Sequence, residues 1–63
     1  MAYRQYEVRQ GGGQRILVWV HETTRLAPGS AVVDEHGDTW QVVRSYRYAY
    51  DMPRKGHPVW EPA

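Results

Sequence analysis

The stretch TWQVVRSYRYAY runs from Thr39 to Tyr50. It is long for a strand. In strict alternation Trp40, Val42, Arg44, Tyr46, Tyr48 and Tyr50 share one face. Thr39, Gln41, Val43, Ser45, Arg47 and Ala49 share the other. Arg44 is a charge in an otherwise apolar and aromatic row, and it follows the adjacent pair Val42–Val43. Both features predict a bulge or bend there, which lets one strand serve two sides of a small fold. Alternation alone leaves open whether Tyr46, Tyr48 and Tyr50 complete the core or form a surface stripe.

Working outward, HGD (36–38) precedes this strand and reads as a turn with Gly37 in the left-handed conformation. AVVDE (31–35) reads as its short partner strand. Pro28-Gly29 fits a type II turn, because proline presets the first central dihedral and glycine accepts the positive one after it. Leu26 is expected to tuck beneath that turn. RILVWVH (15–21) places Ile16, Val18 and Val20 on one face and Leu17, Trp19 and His21 on the other. Both faces are apolar, so this strand is central or covered on its outer side. Three consecutive glycines (11–13) connect it to AYRQYEVR (2–9), a half-buried strand with Tyr6 and Val8 inward. No window carries a helical apolar stripe.

The segment PGSAVVDEHGDTWQVVRSY, Pro28 to Tyr46, resembles the hairpin of SH3-like barrels, including translation-factor and phage adaptor modules. A turn precedes a strand, an acidic-glycine turn follows, and the next strand has an aromatic near its start. The resemblance covers this hairpin only. It implies a small barrel and, by analogy, the setting of a compact phage-like accessory protein. The fold expected is therefore all-β: a small antiparallel SH3-like barrel or two-sheet roll of four to five strands, without substantial helix. Residues 1–63 form one small β domain, with 51–63 a proline-rich tail in which Pro58-Val59-Trp60 can add a short edge strand.

A chain of 63 residues buries only about 60 % of the surface its unfolded form exposes. It has no cysteine, hence no disulfide and no cysteine zinc site. Three tryptophans and five tyrosines must supply the bulk of the core. The longest apolar run, Ile16 to Val20, is too short to cross a bilayer, and no signal-peptide pattern is present, so a soluble cytoplasmic protein without membrane contact is expected. The net charge is only +1, but both ends of the chain are basic and its middle is acidic.

Little in the chain points to catalysis. HETTR (21–25) begins like the zinc motif HExxH but ends in Arg25. His21, His36 and His57 match no metal-ligand spacing. The triglycine segment lacks the lysine and helix of a phosphate loop. Neither serine sits in a nucleophile-like turn, and so small a barrel offers little concave volume. No enzyme activity and no cofactor are expected.

The arginine and tyrosine stripe is the strongest functional feature. These residue types dominate protein–protein hot spots. They also serve single-stranded nucleic acid, where rings stack on bases and arginines meet phosphates. The first expectation is a non-enzymatic protein-binding adaptor or inhibitor module, with a protein partner held by Arg44, Arg47, Tyr48, Tyr50, Arg54 and Lys55. The alternative is a nucleic-acid-binding barrel that recruits Arg4, Arg9 and Tyr46 to the same set. Leu17 and Trp19 form a second apolar feature, covered by Trp60 of the tail or by a second copy in a homodimer.

Overall fold

A computed structural model describes residues 2–21, 25–50 and 58–63. Five strands run in chain order: β1 (Tyr3–Gln10), β2 (Gln14–His21), β3 (Ala31–Val33), β4 (Thr39–Ala49) and β5 (Val59–Pro62). They close into a barrel in the order β1-β2-β5-β3-β4, with β4 returning to β1. The fold is all-β, with no helix among the described residues, and its form is compatible with an SH3-like barrel. No described helix is long and apolar enough to cross a membrane.

The core follows from the alternation of side chains. Tyr6 and Val8 of β1, Val18 and Val20 of β2, Val32 of β3, Trp40 and Val42 of β4 and Trp60 of β5 form one buried cluster. Ile16 and Leu26 pack against it. The Leu26 amide donates to the Tyr6 hydroxyl at 3.0 Å, so the polar tip of a core tyrosine is satisfied by the loop that covers it.

Both glycine turns form as read. Gly29 has φ +93°, and Ser30 N–H donates to the Ala27 carbonyl at 3.0 Å across the Pro28-Gly29 turn. Gly37 has φ +85°. Here β3 is shorter than the segment 31–35, because Asp34 leaves the ladder to organise the turn. Its Oδ1 accepts from the amides of His36 and Asp38, and its Oδ2 accepts from the Trp40 indole at 3.0 Å. Desolvation pushes the Asp34 carboxyl up. The Trp40 indole, the two amides and the nearby His36 outweigh it and leave the pKa below the ordinary aspartate value.

The tail departs from the antiparallel expectation. β5 is not at an edge. It lies between β2 and β3, parallel to β2 (Trp19 opposite Val59, Val20 opposite Trp60) and antiparallel to β3. The Trp19 amide donates to the Pro58 carbonyl at 2.8 Å. Pro58 thus keeps its carbonyl role in the ladder while its missing N–H stands just outside the strand. Because Trp60 is level with inward-facing Val20, it enters the core instead of covering Leu17 and Trp19. Its ring lies 5.3 Å from that of Trp40.

Trp40 and Trp60 are buried to nearly the same degree but differ in one hydrogen bond. The Trp40 indole N–H meets Asp34, whereas the buried Trp60 Nε1 has no partner among the described residues. Replacing either ring by phenylalanine removes similar volume. Trp40→Phe also removes a hydrogen bond to a charged group, so it should cost about 1–2 kcal/mol more than Trp60→Phe in urea unfolding. An equal or larger loss for Trp60→Phe contradicts this assignment.

Candidate functional site

The site is set by how β4 runs along β1. Glu7 is opposite Arg44, but its neighbour Val8 is opposite Val42, so Val43 is an extra residue on β4. A second irregularity follows, because Tyr6 is opposite Ser45 while Arg4 is opposite Tyr48. Each extra residue switches the face of the side chains beyond it. The row read by simple alternation is therefore split. Trp40 and Val42 point into the core, while Arg44 and Tyr46 emerge on the outer surface. Tyr48 pairs with Arg4 at one end of the barrel. The first switch coincides with the Val42–Arg44 bend expected from the sequence. The second, within Ser45–Tyr48, has no comparable mark there.

All three tyrosines of the stripe are exposed: Tyr46 by 48 %, Tyr48 by 45 % and Tyr50 by 76 %. They are surface residues, which settles what alternation left open. Tyr48 and Tyr50 meet edge to face at 5.3 Å, and the Arg4 guanidinium carbon stands 5.3 Å from the centre of the Tyr48 ring.

On the outer face Glu7 is the organising residue. Its carboxylate accepts from Arg44 Nε at 3.1 Å and from the Tyr46 hydroxyl at 3.3 Å, and lies 3.6 Å from Arg15 Nη1. The Glu7 side chain is only 16 % exposed, whereas those of Arg15 and Arg44 are more than half exposed. One carboxylate thus gathers two arginines and a tyrosine while leaving about half of each accessible. Register explains the grouping: Glu7 is opposite Leu17 on one side and Arg44 on the other. Arg9 lies next to this cluster, opposite Arg15 and Gln41. A shallow hollow between Glu7, Arg15, Ile16, Leu17 and Tyr46 has a partly apolar floor.

Of the expected contact residues, Arg44 and Tyr46 share one cluster and Arg4, Tyr48 and Tyr50 another. Arg47 is exposed. Arg54 and Lys55 lie outside the described residues, as do His57 and Glu22–Thr24. Among the described residues no three histidine, aspartate or glutamate side chains converge as a metal site. Trp19 is buried on the side of β2 away from the core, flanked by Gln5 of β1 and Val59 of β5. Leu17 is half-buried beside Glu7. Sequence reading missed the role of Glu7. Its signal was that it is the single carboxylate among three arginines in the first fifteen residues.

The chain matches no protein-family model, and neither a curated protein nor a solved structure gives a significant match.

If Glu7 positions the face, Glu7→Ala should change global stability by less than about 1 kcal/mol, since the ion pairs are partly solvated. The Arg44 Nε–H resonance should lose its protection from exchange and the Tyr46 ring signals should move. An unchanged Arg44 resonance contradicts the assignment.

Proposed function

We propose that the protein is a non-enzymatic protein-binding module of SH3-like form, an adaptor or inhibitor whose partner docks on the arginine and tyrosine face of β1 and β4. The observation that carries this reading is the outward turn of three tyrosines beside arginines already held in place. Large rings with few rotatable bonds, next to ordered guanidinium groups, offer contact area at low entropic cost. Arg44, Arg47, Tyr46, Tyr48 and Tyr50 are the contacts assigned to the partner, with Arg4 supporting Tyr48.

The same geometry weighs against nucleic acid as the partner. Glu7 already neutralises part of Arg15 and Arg44, and the chain has a net charge of only +1. Binding through phosphates draws on unneutralised cations and shows a steep salt dependence. The lack of cysteine suits a reducing cytoplasmic setting, and a phage-like accessory role rests on analogy with the hairpin resemblance.

Immobilised protein should retain a defined protein from a lysate of its source organism, and Tyr48→Ala should abolish that retention. Glu35→Ala, in the exposed turn between β3 and β4, should not. Retention that survives Tyr48→Ala contradicts the reading. So does tight binding of an oligonucleotide that weakens steeply with salt.

A further inference from the structure

A hollow on the described surface borders the arginine and tyrosine cluster at Arg44. It encloses about 510 Å³ and is lined by Arg25, Leu26, Ala27, Pro28, Arg44 and Ser45. Its floor is aliphatic and fixed. Leu26 packs on the core and donates its amide to Tyr6, while Gly29 N–H donates to the Val42 carbonyl and Val42 N–H donates to the Ser30 carbonyl, both at 2.8 Å. Two arginines line it, and no acidic side chain does among the described residues. Arg44 meets Glu7 through Nε at 3.1 Å, and its side chain remains 60 % exposed, so the guanidinium is accessible to a second carboxylate.

We infer that this hollow receives an acidic segment of the protein partner, with an apolar side chain over Leu26–Pro28 and an adjacent carboxylate between Arg25 and Arg44. The inference deepens the protein-binding reading and rests on it. With two cationic and no acidic side chains lining it among the described residues, the hollow selects a single carboxylate, which needs only Arg25 and the part of Arg44 that Glu7 leaves exposed. The floor selects a peptide over a nucleic acid, because it presents no exposed aromatic plane on which a base could stack. Arg44 borders this hollow and also belongs to the Glu7 cluster, so one residue joins the pocket to the tyrosine face.

The test is a titration with three fluorescein-labelled probes at low salt: a peptide of alternating glutamate and leucine, its glutamine–leucine counterpart, and oligothymidine. The acidic peptide should bind best and shift the amide signals of Leu26, Ala27 and Ser45. Arg25→Ala and Arg44→Ala should each weaken it about tenfold. Arg25 is exposed and outside the strands, so its variant tests the hollow without disturbing the barrel. Absence of acidic-peptide binding overturns the inference. Equal binding of the neutral peptide, or tighter Arg25-dependent binding of oligothymidine, does the same. Loss of natural-partner binding in Tyr48→Ala but not in Arg25→Ala sinks the hollow while keeping the protein-binding face. Peptide binding that needs Arg25, with partner retention indifferent to Tyr48→Ala, does the reverse.

Discussion

Two extra residues in β4 govern what this protein shows to solvent. Opposite β1 the long strand gains one residue at Val43 and another between Ser45 and Tyr48. A strand of strict period two would carry Trp40, Val42, Arg44, Tyr46 and Tyr48 on one face. It would then place Arg44 and Tyr46 where the core has no room for them, or strip Trp40 and Val42 from the core. The bulges resolve the conflict locally. One strand closes the core at its start and presents a charged aromatic surface further along.

That division works because the rest of the barrel closes tightly around few residues. Without disulfides, the chain relies on a core in which eight side chains pack together among the described residues, two of them tryptophans in contact. β5 is the piece that makes closure possible. It fills the gap between β2 and β3 and brings Trp60 against Trp40. The Asp34 turn supports the same contact from the other side by holding the Trp40 indole. The face on β1 and β4 is therefore rigid at its base, and Glu7 extends that order to Arg44 and Tyr46.

Local patterns in the sequence carried most of the fold. Period-two alternation places Tyr6 and Val8 inward and puts Ile16, Val18 and Val20 on one shared face, which the structure turns to the core. The Pro28-Gly29 and Gly37 turns, and the bend near Val43, also follow from residue chemistry. What local pattern could not supply is long-range register. The parallel pairing of β5 with β2 joins residues some forty positions apart, and nothing in Pro58-Val59-Trp60 specifies its neighbour. Local pattern therefore allows Trp60 as an outer cover for Leu17 and Trp19, whereas the pairing with β2 takes it into the core. The second bulge is a mismatch between two strands and belongs to neither alone. The stripe of arginine and tyrosine was legible, but Glu7, which orders half of it, becomes visible only when β1 and β4 are laid side by side. In the sequence Arg25 only ends a segment that departs from HExxH, and its sharing of a hollow with Arg44 depends on the path of the loop to Pro28.

Photochemically induced nuclear polarisation, which enhances only aromatic rings that a dissolved dye can reach, tests the role of the two bulges most directly. Enhanced signals are expected from Tyr46, Tyr48 and Tyr50, and none from Tyr3, Tyr6, Trp40 or Trp60. Silence of Tyr46, or enhancement of Trp40, would mean that β4 does not switch faces and would contradict the architecture of the site.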